Sequence, residues 1–345
     1  MNRHPQRVAV IVPCHNEEIT VATVVADLKR AVPESDVYVY DNNSTDRTAE
    51  LARAAGAIVR TEHRKGKGNV IRRAFGDIDA DIYVTIDGDD TYEAADLPEM
   101  IKLLEAGPYD HVLGVRQDTQ DTSSYRPGHE MGNRMFNRLL SALFRSKVSD
   151  MLSGYRVFSR RFVKSFPALS KEFEIETELT VHIMSLRLPH AEYPVGFRDR
   201  PAGSESKLNT YSDGLRILSV IAGLLRNERP VLFHGVLAVI LGLLSLVLGT
   251  PVVLEFFKTG LVPRFPTAFL AVGLMVLAFL VGTTGVVLDG IRLSRHETSR
   301  LTYLALDAVA GSPAVTDSPA VTDELPAPVE PGLNPPVRHV KPESA

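Results

Sequence analysis

The sequence predicts an α/β fold, a mostly parallel sheet covered on both faces by helices, followed by an amphipathic juxtamembrane helix and a two-helix transmembrane hairpin. Three observations carry this expectation. Short apolar, β-prone runs alternate with segments of helical periodicity through roughly the first 200 residues. Several of these runs end in clusters of acids, amides or bases. Two long apolar stretches then follow near the C-terminus.

Taken in order, Val8 to Val12 reads as a buried strand, and Val21, Val24, Val25 and Leu28 share one face of the helix after it. Val37 to Tyr40 is the next strand. Ser44 or Thr45 is expected to cap a helix running to Ala55, with Gly56 ending it. Ala57 to Val59, Ile82 to Ile86 and His111 to Val115 supply further strands, with helices around Val70 to Phe75 and Leu97 to Glu105. Sheets of this kind bind ligands beyond the carboxyl ends of their strands, where Asp41 and Asp87 both fall.

The boundaries expected are a catalytic-type α/β domain over 1–208, an amphipathic juxtamembrane helix over 209–230, spans over 231–254 and 267–290, an external loop over 255–266, and a tail over 291–345. Leu215, Leu218, Ile221, Leu224 and Leu225 recur near helical spacing beside Arg216 and Arg226, as on a helix lying at a membrane surface. A helix packed on the soluble domain fits the same pattern. Each apolar stretch reaches the roughly 20 residues a helix needs to cross the hydrocarbon core. Arg216, Arg226 and Arg229 precede the first, and Arg292, Arg295 and Arg300 follow the second, while the loop between holds only Lys258 and Arg264 with Glu255. The positive-inside rule then puts the large domain and the tail in the cytoplasm of a multi-pass protein of the plasma or inner membrane. The tail is Pro-, Ala- and Val-rich from about 310 and reads as disordered.

The 345 residues carry a net charge of −4, so no global basic field points to nucleic acid. The one cysteine, Cys14, excludes an intramolecular disulfide framework and fits a reducing compartment. Residues 1–7 are polar and contain no signal-peptide core.

The chemistry concentrates in Ile82 to Asp90, where a β-prone run ends in Asp87, Asp89 and Asp90. Carboxylates this close repel one another. A divalent metal relieves that repulsion, and Mg²⁺ or Mn²⁺ suits hard oxygen ligands, typically one or two carboxylates plus substrate phosphates. An isolated D-x-D would more often be a solvated acidic turn. This one is accompanied by Pro13-Cys14-His15-Asn16-Glu17-Glu18 after the first strand, Asp41-Asn42-Asn43-Ser44-Thr45-Asp46 after the second, the basic Arg64-Lys65-Gly66-Lys67-Gly68-Asn69, and Arg116 after the fifth. Gly66 and Gly68 do not have Walker A spacing. Singly these clusters fit caps and solvated loops; their joint order is harder to explain locally.

Together they resemble the family 2 glycosyltransferases of GT-A fold (Rossmann-like). The P-x-x-N-E element lies at Pro13, Asn16 and Glu17, the D-x-x-S-x-D element at Asp41, Ser44 and Asp46, and the D-x-D at Asp87 and Asp89. The resemblance covers about residues 8 to 208. It implies that Pro13, Glu17 and Asp41 line the base and ribose of a nucleotide-sugar donor, with Asn16 and Asn43 in the same shell and Lys67 close by. It also implies that Asp87 and Asp89 hold Mg²⁺ or Mn²⁺ on the diphosphate. Asp90-Thr91 replaces the Leu-Gln of several relatives, which leaves Asp90 as the third metal contact.

A second layer, Asp150 to Arg156, Glu174 to Glu178, and Arg200 with Ser204-Glu205-Ser206-Lys207-Leu208, is similar to the dolichyl- and polyprenyl-phosphate sugar synthases. There Arg116, Arg156, Arg200 and Lys207 would handle the donor diphosphate and the acceptor phosphate, with Asp89, Asp150 and Arg156 closest to catalysis. Processive synthases of the superfamily carry Q-x-x-R-W, whereas this chain has no Trp. The resulting expectation is an inverting transfer of one sugar to a polyprenyl phosphate at a membrane lipid surface, with room for self-association. The rivals are transfer to a sugar hydroxyl of a lipid-linked glycan and a non-catalytic membrane scaffold.

Overall fold

The computed structural model describes residues 6–118, 149–171, 174–201, 223 and 226–309. Seven strands form one sheet: β1 (Val8–Cys14), β2 (Asp36–Asp41), β3 (Ile58–Thr61), β4 (Ile82–Thr85), β5 (His111–Asp118), β6 (Arg156–Ser159) and β7 (His190–Phe197). Their order is β3-β2-β1-β4-β6-β5-β7. β1 is parallel to β2 and β4, β2 to β3, and β5 to β7, while β6 runs antiparallel to both β4 and β5. The mostly parallel sheet is therefore mixed at β6. That reversal matters, because β6 starts at the edge where the parallel strands end, so the loop entering it at residues 149–155 joins the loops leaving β1, β2, β3, β4 and β7.

Period-two alternation along β1 divides the core. Val8, Val10 and Val12 pack with Val21, Val24, Val25 and Leu28 of α1 (Val21–Ala31) and with Leu97, Met100 and Leu104 of α4 (Leu97–Ala106). Ala9 and Ile11 face Val70, Ile71 and Phe75 of α3 (Lys67–Asp77), Phe162 of α5 (Arg160–Ser165) and Ile175, Leu179 and Ile183 of α6 (Glu174–Leu186). The central strands β1 and β4 are apolar at nearly every position because both faces are covered, as buried parallel strands require.

The second helix, α2, spans Thr48–Ala54, later than the sequence suggests. Neither Ser44 nor Thr45 caps it. Ser44 Oγ accepts from Asn16 N at 3.0 Å and Thr45 N donates to Asn16 Oδ1 at 2.8 Å, so these residues tie the β1 and β2 loops together. Asp46 Oδ1 accepts from Thr48 N at 3.0 Å instead. Gly56, at φ 89°, does end the helix. β6, β7, α5 and α6 have no clear signal in the sequence pattern, since their burial depends on neighbours distant in the chain.

Two long helices follow, α7 (Pro230–Thr259, 30 residues) and α8 (Phe265–Leu304, 40 residues), with peak mean hydropathies of 2.6 and 2.3. Both are long and apolar enough to cross a membrane, and their apolar side chains are largely exposed. Small residues let them approach closely. A Cβ on Gly285 would lie 2.8 Å from His234 Cβ and 3.2 Å from Pro230 O, and Ser245 Oγ donates to Ala271 O at 2.7 Å. At about 1.5 Å per residue α8 is roughly 60 Å long, twice the ~30 Å of a bilayer core. Its last turns, expected to begin a tail, continue as helix and dock on the α/β domain: Tyr303 is buried in the α3–α5–α6 core and Arg300 Nη1 donates to Leu186 O at 3.3 Å. The expected amphipathic helix at 209–230 falls largely outside the described residues, as do Lys207 and the chain beyond 309.

Candidate active site

The segment after β4 is held from below. Ile86 N donates to Ile11 O at 3.1 Å, and Thr20 Oγ1 to Gly88 O at 2.6 Å. A Cβ on Gly88 would come within 2.5 Å of Cys14 Sγ, so only glycine lets this turn lie on the buried thiol of β1. Asp90 has φ 60°, a left-handed conformation that Asp tolerates better than most residues.

Each carboxylate of the turn faces a base. Asp87 is paired with Lys67, the first residue of α3, and Lys67 Nζ also lies 2.6 Å from Glu176 Oε1 on α6. Burial alone would lower the Lys67 pKa, but Asp87 and Glu176 outweigh it and raise it, so Lys67 is an ammonium. Asp89 accepts from Arg200 Nη2 at 2.6 Å and from Thr91 Oγ1 at 2.7 Å. Its pKa is raised, first by burial and then by the neighbouring Asp87 charge, with Arg200 and Thr91 opposing. Asp90 is held by Arg198.

The other motif residues converge on the same edge. Glu17 is buried, donates its N–H to Thr48 Oγ1 at 2.8 Å, and approaches Arg200 Nη1 at 3.9 Å. Asn16, at φ 54°, and half-buried Pro13 complete the β1 loop. Asp41 is buried and accepts from Ser44 N at 3.2 Å. Asn42 binds Glu62 O, Arg64 O and Gly66 N at 2.7–2.8 Å, and Asn43 Nδ2 donates to His63 O at 2.8 Å. The amide of Asn42 thus stitches the β2 loop to the loop leading into Lys67.

Arg116 and Asp150 form a two-pronged pair, Nε to Oδ2 at 2.6 Å and Nη2 to Oδ1 at 2.8 Å, with the guanidinium 5.3 Å from the centre of the Phe197 ring. Asp150 therefore orients Arg116. Arg156 corrects an expectation: it is 0 % exposed, and its guanidinium donates to Ser153 O at 2.8 Å, Met151 O at 2.6 Å and Thr180 Oγ1 at 2.9 Å. Burial pushes its pKa down to about 10. It is a positioning residue that shapes the 151–155 loop. That loop brings Gly154 so close that a Cβ there would lie 2.6 Å from Asp87 Oδ2 and 2.9 Å from Lys67 Nζ.

The residues fit a hard divalent cation in part. Asp87 and Asp89 are two adjacent oxygen donors whose mutual repulsion is now offset by Lys67 and Arg200. Among the described residues no three His, Cys, Asp or Glu side chains converge, and Asp90 is turned to Arg198 instead of joining the pair. Two carboxylates completed by phosphate and water oxygens is a usual Mg²⁺ arrangement. Arg198 carries no motif signature, whereas Glu176 lies within the Glu174–Glu178 element, and only the fold shows that it is this acid that meets Lys67.

Comparison with known proteins identifies the family and the fold. The family described as "Glycosyl transferase family 2" matches residues 9–166. Glycosyltransferase AglJ of Haloferax volcanii is 35 % identical over 237 residues, covering 67 % of this chain and 76 % of that protein. A dolichyl-phosphate hexose transferase of the same organism is 31 % identical over 221 residues, 64 % of this chain and 95 % of that one. Among solved structures, glucosyl-3-phosphoglycerate synthase from Mycobacterium tuberculosis in complex with Mg²⁺ and UDP superposes with a TM-score of 0.51 at 26 % identity, covering 64 % of this chain and 78 % of that one.

Proposed function

We propose, since this chain belongs to glycosyltransferase family 2 and has its GT-A fold, that it moves a single sugar from a UDP- or GDP-sugar to a polyprenyl phosphate at the cytoplasmic face of a membrane. The observation that carries this reading is the Asp87–Asp89 pair, set between Lys67 and Arg200 in the same compact unit as two helices long enough to span a bilayer.

Asp87 and Asp89 would hold a divalent cation, Mg²⁺ or Mn²⁺, whose chemistry is to neutralise charge on the departing nucleoside diphosphate. Lys67 and Arg200 place two further positive charges beside that position, where they stabilise the leaving diphosphate as its charge grows. Glu17 and Asp41, at the ends of β1 and β2, line the neighbouring space for the nucleoside, with Pro13, Asn16 and Asn43 around them. Arg116, held by Asp150 and beside the Phe197 ring, would bind the acceptor phosphate.

A phosphate monoester is already anionic at neutral pH, so it needs no strong general base to attack the anomeric carbon. A sugar hydroxyl would need one. In-line attack inverts the anomeric centre. The arginines flanking α7 and α8 favour a cytoplasmic α/β domain, which brings the site to the leaflet where a lipid phosphate sits.

The test is a panel of radiolabelled UDP- and GDP-sugars supplied to membranes containing the protein, with polyprenyl phosphate or a lipid-linked sugar as acceptor, followed by lipid extraction. Label entering a polyprenyl-phosphate sugar supports the proposal. Label appearing only on the lipid-linked sugar rejects it.

A further inference from the structure

Lys67 lies between two carboxylates, and the two are differently placed. The Lys67 side chain is 11 % exposed and that of Glu176 6 %, whereas Asp87 is 28 % exposed and open to the site. Glu176 is therefore too enclosed to meet a substrate, yet its Oε1 is 2.6 Å from the ammonium. Backbone approaches the pair closely from two directions. On the α3 side, Asn69 N donates to Lys171 O at 3.2 Å, and a Cβ on Gly68 would meet Ser170 O at 2.4 Å. Gly154 closes the remaining side against both Asp87 and Lys67.

A dication on Asp87 and an ammonium on the same carboxylate oxygen repel each other strongly at such short range. One must give way. A lysine this enclosed cannot simply lose its partner, because an unpaired buried charge is costly. We propose that Glu176 is a positioning residue that receives Lys67 when a divalent cation takes Asp87, so that the ammonium stays beside the diphosphate instead of being driven out. Lys67 is in this sense the resident cation of the ligand-free site, and Glu176 is its second seat. The exchange needs little movement, since Nζ already touches both oxygens.

The inference rests on the reading of Asp87 as a metal-binding carboxylate, and it reaches further than that reading. It gives Lys67 and Glu176 opposite effects on metal affinity. A purely structural Glu176–Lys67 link between α3 and α6 would not.

The test is Mn²⁺ binding to the full-length chain in detergent, without nucleotide, followed by the electron paramagnetic resonance of free Mn²⁺. K67M removes the competing cation and should tighten Mn²⁺ about tenfold; E176Q leaves Lys67 held by Asp87 alone and should weaken it about tenfold, the scale of a single charge-assisted interaction. E176D should recover part of the loss, and E176Q should have little effect on the K67M background. Thermal unfolding of each variant reports whether it folds, and K67M and E176D keep the test open if E176Q does not. Wild-type affinity in E176Q, or an equal loss in both backgrounds, overturns the proposal while leaving the metal site standing. Failure of the wild type to bind Mn²⁺ both without nucleotide and with UDP or GDP present overturns both.

Discussion

Tyr303 donates its phenolic hydroxyl to Asp110 Oδ2 at 2.6 Å, joining the last turn of α8 to a carboxylate at the start of β5 that is wholly buried. Asp110 also accepts from Ser159 Oγ at 2.7 Å and takes a two-pronged interaction from Arg161, whose guanidinium lies 4.6 Å from the centre of the Tyr303 ring. A helix that is apolar along most of its length thus ends in a polar latch on the α/β domain. Three donors share one carboxylate there, so its members are unequal in weight.

Tyr303→Phe keeps the ring in the core and leaves Asp110 with Ser159 and Arg161. It should cost about 1 kcal/mol, one buried hydrogen bond. Asp110→Ala strands Arg161 and should cost several times more, on the order of 3–5 kcal/mol. Thermal unfolding in detergent reads both. Equal losses would show that Tyr303, and not the carboxylate, carries the latch.

Gly154→Ala places a methyl group against Asp87 and Lys67 without requiring an unusual backbone conformation. Activity should fall on the order of 10²-fold or more, because misplacement of about 1 Å at a reacting site has that effect. The unfolding temperature should fall by far less than activity does, since the methyl displaces side-chain ends and not backbone. A variant that loses stability and activity together would assign Gly154 to packing alone.

Asp89→Ala and Asp90→Asn separate the carboxylates of the turn. Asp89 faces Arg200 and the proposed metal position, and its loss should cut transfer on the order of 10²–10³-fold, the scale of a lost electrostatic contact in catalysis. Asp90 is engaged by Arg198, so Asp90→Asn should act mainly on the 198–201 segment and cost far less activity. Chelation should abolish transfer in the wild type, and Mn²⁺ should restore it. Full activity in Asp89→Ala would remove the metal reading.

His182 and His111 are neutral in the fold. Burial, with a smaller contribution from His296, pushes His182 down from 6.5 to about 4, and burial with Arg156 puts His111 well below its usual value. His182 stacks edge-on to Phe162 and Phe166 and shares a hydrogen bond with Ser165 Oγ at 3.2 Å. The unfolded chain binds these protons first. Stability should therefore be full above about pH 6.5 and fall as pH drops toward 4, with about 3 kcal/mol attributable to His182. His182→Phe should flatten part of that slope in unfolding titrations between pH 4 and 7. An unchanged slope would show that His182 titrates alike in the folded and unfolded chains.

Much of this is legible in the chain. Val8 to Val12, Val37 to Tyr40 and Ile82 to Thr85 are strands, both apolar stretches lie within helices, and the clusters at Pro13, Asp41 and Asp87 stand on one edge of the sheet. Such signals are local. A buried parallel strand has to be apolar along its length, and a residue just past its end has to sit at the ligand-binding edge. Arg156 shows the limit of such signals: the family resemblance places it beside the phosphates, but its guanidinium is spent on Met151 O, Ser153 O and Thr180 Oγ1.

By itself the sequence determined the alternation of strands and helices, the family, the acidic turn and the two long apolar helices, because each is written in a contiguous stretch. Only the tertiary structure decided which base meets which acid. Lys67 meets Glu176 of the neighbouring α6, Arg116 is claimed by Asp150, and Tyr303 reaches Asp110 from 193 residues away. These partners are distant in sequence in every case, and no local pattern encodes them. The cost of leaving a buried charge unpaired selects them once packing has brought the elements together.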